Sequence, residues 1–149
     1  MGPAVTPDEH RELGKELFNS TWTLMELESR TPEQDDELVY TAHASRYHWS
    51  RVGRPEHAAR GEWQCSRVYA VLGRGEPAVH HATRCLEICE ANGIGDWDLA
   101  FAYEALSRAH RVAGDDAEAE RFKALAAEAG AAIADPEDRE SFDSDYATL

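Results

Sequence analysis

His81, Cys85 and Cys89 follow one another at four-residue steps. On a helix this brings an imidazole and two thiols near one face, with the donor types of a metal site. The same cysteines share their stripe with Ala78, Ala82 and Leu86, where free cysteine packs as a small buried hydrophobe. No second pair of ligands stands elsewhere to complete a tetrahedral set, so neither a metal nor another cofactor is expected. His80 adds nothing to the set, because adjacent helical positions point in different directions. A second group is the stripe Tyr40, His43 and Tyr47, unusually aromatic for a solvent face and expected to face a ligand pocket. Glu62 falls at helical spacing between Ala58 and Cys65, where burial is expected, and a buried carboxylate needs a partner such as Arg67 or His43. It reads either as a paired structural glutamate or as a general base.

Charge narrows the partners. The 149-residue chain carries 29 Asp and Glu against 15 Lys and Arg, a formal charge of −14 that repels phosphate backbones and anionic bilayers. Nucleic acid and membrane surfaces are therefore excluded as expected partners. Lys15 and Lys123 are the only lysines, so positive charge is almost all arginine, the side chain suited to planar recognition of carboxylates and phosphates. The start, Met1-Gly2-Pro3-Ala4-Val5-Thr6, has no secretory hydrophobic run, and nowhere do 18 apolar residues follow one another. Three cysteines, an odd count, fit reduced thiols. A soluble cytoplasmic protein is expected. Gly2 with Thr6 matches a myristoylation start, but Pro3 adjoins the acceptor and Thr6 serves better as a helix cap. Asn19-Ser20-Thr21 matches a glycosylation acceptor but lies inside a predicted helix.

The elements that must position these groups are helical throughout. Thr6-Pro7-Asp8-Glu9 and Thr31-Pro32-Glu33-Gln34 each supply a capping hydroxyl, a first-turn proline and a carboxyl or amide three residues on. Glycines punctuate most of the remaining boundaries, and Asn92-Gly93-Ile94 is a helix end with Ile94 packing back on the last turn. Six segments show helical periodicity, 7–29, 32–52, 55–72, 76–92, 96–113 and 116–133, and nothing alternates like a strand. Core stripes are Leu38, Ala42, Ser45, Trp49 and Val52, then Ala58, Cys65, Tyr69 and Leu72, then Phe122, Ala126, Ala129 and Ile133. Short loops make neighbours antiparallel. Residues 1–134 are expected to form one domain. Residues 135–149, with six acids and one arginine, form a tail that either stays solvated or docks as a short helix through Phe142, Tyr146 and Leu149.

Three stretches align on a glycine: Ser45-Arg46 to Gly53, Ser66-Arg67 to Gly73, and Ser107-Arg108 to Gly114. Alanine follows each glycine by five residues (Ala58, Ala78, Ala119), and another small residue comes seven later (Cys65, Cys85, Ala126). An aromatic ring or histidine precedes each glycine by four (Trp49, Tyr69, His110). This spacing resembles the tetratricopeptide repeat, covering 55–133 well and the first two segments weakly. It departs from that pattern in the 41 residues from Gly73 to Gly114 and the 20 from Gly53 to Gly73. The resemblance implies an all-α fold of antiparallel helical hairpins stacked as a right-handed array, about six helices plus the short C-terminal helix or tail. A plain helical bundle is the alternative.

The resemblance further implies that the first helix of each pair lines a concave surface presenting Arg60, Trp63 and Arg67, then Phe101, Glu104 and Arg108. Arg60 and Arg67 stand two turns apart on one face and can hold an anion between them while Trp63 supplies apolar contact. They can equally pair with Glu56, Glu62 or another acid of this acidic surface. No phosphate loop follows a strand, and neither G-x-S-x-G nor H-E-x-x-H is present, so no enzyme signature stands in the chain. The expected function is a binding protein, adaptor or regulator, that holds a peptide or protein segment or a small anionic ligand. The alternative is an enzyme or small-molecule sensor with a closed polar pocket around His43, Glu62, Arg67 and Glu104. A third reading pairs the aromatic surface with a second copy of the chain as a homodimer.

Overall fold

A computed structural model describes residues 4–149, and the Gly2 acceptor position lies outside the described residues. Seven helices account for nearly all of it: α1 Pro7–Met25, α2 Pro32–Val52, α3 Pro55–Val71, α4 Gly75–Ala91, α5 Asp96–Val112, α6 Asp116–Ala131 and α7 Pro136–Tyr146. There is no strand among the described residues, and no helix there is long and apolar enough to cross a membrane. The caps work as their chemistry dictates: the Thr6 and Thr31 hydroxyls accept from the Glu9 and Gln34 amides, and those side chains accept from the threonine amides in return. The first helix stops at Met25, four residues short of its periodic segment. Arg30 explains the stop, reaching back to the Met25 carbonyl at 3.3 Å while its Nε donates to Asp35 at 2.7 Å.

The helices pair as α1 with α2, α3 with α4 and α5 with α6, and the pairs are antiparallel. Ser66 meets Ala78 near one end of the second pair, while Ala59 packs against Cys85 and Cys89 at the other. The glycine-aligned stretches have a concrete meaning here. Ser66 Oγ donates to the Ala78 carbonyl at 2.8 Å, and Ser107 Oγ donates to the Ala119 carbonyl at the same distance. Each hydroxyl thus ties a helix to the first turn of its partner. The turns match as well. Gly73 and Gly114 take φ of +73° and +85°, and the next amide closes back on the Tyr69 or His110 carbonyl at 2.8 and 2.9 Å. Gly53 differs: with φ −80° and ψ 170° it is an extended exit from α2, and Ser45 bonds the Gly14 carbonyl instead. The Ser45-to-Gly53 stretch is therefore a hairpin-to-hairpin connection and not a repeat turn.

Alanine dominates the buried helix crossings, with Ala42, Ala59, Ala78, Ala82, Ala100, Ala102, Ala105, Ala109, Ala119 and Ala126 all buried. Small side chains let helix backbones approach closely, both within hairpins and between α4 and α5, where Ala78 and Ala82 cluster with Ala105 and Ala109. The third helix buries Ala59 and not Ala58, because it is the central element: it packs on α2, α4 and α5 and hides residues almost all round. In α6, Gly130 leaves the space that the Phe142 ring fills, since a Cβ there would collide with the ring. This seats α7 on α5 and α6, with Phe142 buried against Ala100, Ala126 and Ile133.

The two repeat turns offer a clean test of this account. A Cβ at Gly73 or Gly114 would meet nothing within 4 Å, so alanine there strains only the backbone. Gly73→Ala and Gly114→Ala should each lower unfolding free energy by about 1 kcal/mol, and the double variant by the sum, as measured by urea denaturation.

Candidate functional site

The inner helices α1, α3 and α5 present large rings to one another. Phe18 and Trp22 from α1, Trp63 from α3, and Trp97 and Phe101 from α5 line a cavity of about 300 Å³, with Ala59 and Cys85 also on its wall. The rings form a continuous seam. Trp22 to Trp63 and Trp63 to Phe101 are both 5.5 Å between centroids, and Phe101 continues at 5.5 Å into Phe142 of α7. Such edge and tilted contacts are the favoured geometries for aromatic pairs. Polar groups stand at the margins: Arg60 and Asp98 on one side, Asp145 of α7 on another.

Arg60 is held rigidly. Its Nε and Nη2 donate to the two Asp98 oxygens at 3.0 Å each, and its guanidinium lies 4.6 Å over the Trp97 ring. Glu104 lies in the middle of α5 and is fully buried. Arg108 donates to its Oε1 through Nε at 3.0 Å and Nη2 at 2.7 Å, and Trp63 Nε1 donates to Oε2 at 3.3 Å. Arg67 approaches Glu104 and Asp145 at 3.5 Å each. Arg108 also donates to the Asp145 carbonyl and the Thr148 hydroxyl, at 3.2 and 2.6 Å, so the end of α7 is tied to the same group. Two arginines and two carboxylates leave this cluster neutral overall.

A second polar cluster lies on the other side of α3. Glu62 accepts from Arg46 Nε at 3.3 Å and pairs with His81 Nδ1 at 2.6 Å, so its partners are those two residues and not the expected Arg67 or His43. The helix turns by about 100° per residue, which sends the adjacent Glu62 and Trp63 to different neighbours. His43 Nε2 lies 2.9 Å from the Tyr69 hydroxyl, and its ring is 5.2 Å from that of His81. Burial of the His43 ring and the nearby His81 lower its pKa against the opposing pull of Glu62. Burial pushes the Glu62 carboxyl up, but the His81 hydrogen bond and the Arg46 guanidinium outweigh it and hold the group below its ordinary range.

The structure divides the candidate residues accordingly. Trp63 and Phe101 line the cavity with Arg60 at its edge, and Arg67, Glu104 and Arg108 form the adjoining cluster. His43 and Glu62 belong to the second cluster, which removes the geometric basis for one polar pocket holding all four of His43, Glu62, Arg67 and Glu104. Tyr40 and Tyr47, 68% and 56% exposed, are on the outer surface of α2 and do not line the cavity. They miss it because α2 packs on another side of α3, where His43 and Arg46 reach Tyr69 and Glu62. His81 turns to Glu62 while Cys85 and Cys89 pack with Ala59 and Ala102, so the three do not converge. Burial pushes the Cys65 thiol up to about 12, while the hydrogen bond with Cys89, reinforced by burial, raises Cys85 in the same direction. Phe18, Trp22, Trp97, Asp98 and Asp145 complete the site and were not among the expected residues. Phe18 and Trp22 carried a signal in their four-residue spacing, whereas Asp145 reaches the site only by the docking of α7. No protein-family model, curated protein or solved structure matches this chain.

The second cluster gives a pH dependence with a definite sign. A histidine whose folded pKa lies below the free value of 6.5 takes up fewer protons folded than unfolded. His43 therefore leaves stability unchanged above that pH and costs stability as pH falls below it. Urea midpoints should drop between pH 7.5 and 5.5, and His43→Asn should lose less over the same interval. Equal losses in the two proteins would remove His43 as a source of the pH dependence.

Proposed function

We propose that this chain is a tetratricopeptide-like binding protein that receives an apolar or aromatic group, carried by a peptide segment or a small ligand, in the cavity between its inner helices. The observation that carries this reading is the cavity's lining of Phe18, Trp22, Trp63, Trp97 and Phe101, which offers a ligand almost wholly apolar contact. Its volume of about 300 Å³ suits one ring or a short alkyl chain and not an extended polypeptide. A peptide ligand would therefore insert a single anchoring side chain and lay the rest across the surface.

Support for the tetratricopeptide likeness comes from the two hairpins that share a serine-to-carbonyl bond and a left-handed glycine turn. Arg60 serves the site as a wall: chelated by Asp98 and stacked on Trp97, it fixes the Trp97 ring and has little left for a free anion. Specificity for an apolar group rests on preformed rings whose positions are set before a ligand arrives, which lowers the ordering cost of binding.

Titration of the full chain with 4-phenylbutanamide, a neutral probe of suitable size, should give a saturable change in tryptophan fluorescence. Phe18→Ala and Trp22→Ala should each weaken that binding by about tenfold or more with helical circular dichroism retained. Unchanged affinity in both variants would place the probe elsewhere and overturn the reading.

A further inference from the structure

Arg67 is held differently from the other arginines of the site. Its side chain is 17% exposed, yet Nη1 is buried with no hydrogen-bond acceptor among the described residues. Its two carboxylate neighbours, Glu104 Oε1 from Nη1 and Asp145 Oδ1 from Nη2, are both at 3.5 Å, beyond the usual length of a charged N–H to oxygen bond. Glu104 is already engaged by Arg108 and Trp63. Arg67, Glu104 and Arg108 without α7 carry two positive charges against one negative, and Asp145 supplies the balancing anion from α7. Asp145 is also a wall of the aromatic cavity. The chain's own carboxylate thus stands where the apolar chamber meets an under-used guanidinium.

Resting on the apolar cavity proposed above, we infer that the site's ligand is a hydrophobic carboxylate: an aromatic or short alkyl body in the ring-lined chamber and a carboxylate that takes the place of Asp145 on Arg67. Asp145 acts as an internal stand-in for that group. It holds the guanidinium loosely, at a distance that a free carboxylate can improve by forming the paired N–H to oxygen bonds of which Arg67 is capable. The exchange does not require α7 to leave, because Phe142 anchors that helix in the space left by Gly130, and only the Asp145 side chain must swing away. The rest of the chain's negative charge lies outside this cluster and opposes the entry of anions in general. Recognition then depends on carboxylate and apolar body together, and not on charge alone.

The test compares 4-phenylbutyrate with 4-phenylbutanamide and 4-phenylbutylamine on the full chain by calorimetry. The acid should bind about tenfold tighter than the amide, and the amine weakest. Asp145→Asn should tighten the acid severalfold and leave the amide unchanged. Arg67→Gln should bring the acid down to the amide; Arg67→Lys, which keeps Glu104 neutralised but loses the planar fork, serves the same purpose if the glutamine variant unfolds. Equal binding of acid and amide to both wild type and Asp145→Asn would overturn the carboxylate assignment and leave the apolar cavity standing. Absence of binding by all three probes in both proteins would overturn the cavity reading and this inference together. A preference for the acid that survives both Arg67 variants would place its carboxylate elsewhere.

Discussion

A carboxylate fully removed from water at the middle of α5 is the constraint around which this fold is organised. Glu104 cannot be left charged and alone in such a place, and the residues that answer it come from three helices: Trp63 and Arg67 of α3, Arg108 of α5, and, through Arg67 and Arg108, the end of α7. Breaking a buried pair of this kind by removing one partner costs about 3–5 kcal/mol, whereas a well-packed apolar replacement of the whole group can be neutral. The cluster is therefore better understood as a device that fixes how α3, α5 and α7 sit together than as a net source of stability. Its geometry specifies register between the hairpins, which alanine-rich crossings alone would leave loosely determined.

The same group makes the two hairpins unequal. Trp63 and Glu104 occupy corresponding places in the aligned stretches, four residues before Arg67 and Arg108. One repeat offers a ring there and the other an acid, and the indole of the first donates to the carboxylate of the second. Identical residues at those places would set ring against ring or charge against charge. The close approach of helix backbones depends on small residues, both within hairpins and between α4 and α5. A run of large rings lies across α1, α3, α5 and α7, where Trp22, Trp63, Phe101 and Phe142 touch in sequence and where incomplete filling leaves the cavity. In a stacked array the last repeat exposes the face that a further repeat would cover. Here α7 covers part of it, with Phe142 and Tyr146 packed in the cluster of Ala100, Ala126 and Ile133.

Much of this architecture is legible in the order of residues. Threonine, proline and an acid or amide at fixed offsets mark the starts of α1 and α2, and the Ser66-to-Gly73 and Ser107-to-Gly114 stretches mark real repeat turns because their hydroxyls and glycines each make one local bond of fixed geometry. Gly53 shares the spacing and not the conformation, since sequence spacing carries no information on φ. The site is less legible for a related reason. Periodicity shows that Glu62 is buried but not which neighbour it meets, because α3 is enclosed on several sides and each side has its own partners. Asp145 lies still further from prediction: its place depends on Gly130 admitting a ring twelve residues away in the chain, a fit that only the packed structure reveals.

Arg60 and Arg67 show how far a shared sequence logic can diverge once helices pack. They stand two turns apart on one helix, and the spacing suggests two equal arms of a clamp. Asp98, on the first turn of α5, meets Arg60 with both oxygens aligned to the guanidinium fork, and the Trp97 ring beneath removes its remaining freedom. Arg67 meets carboxylates whose oxygens are committed to Arg108 and Trp63 or carried on the last helix, so both approaches stay long. One arginine is thereby spent on structure and the other retains donor capacity beside an apolar chamber. The difference lies entirely in the partners: a planar fork is satisfied by a carboxylate that faces it squarely, and it remains available when its neighbours are already engaged. The difference between the two arginines follows from where α5 and α7 place their acids, while the arginines of α3 are chemically the same.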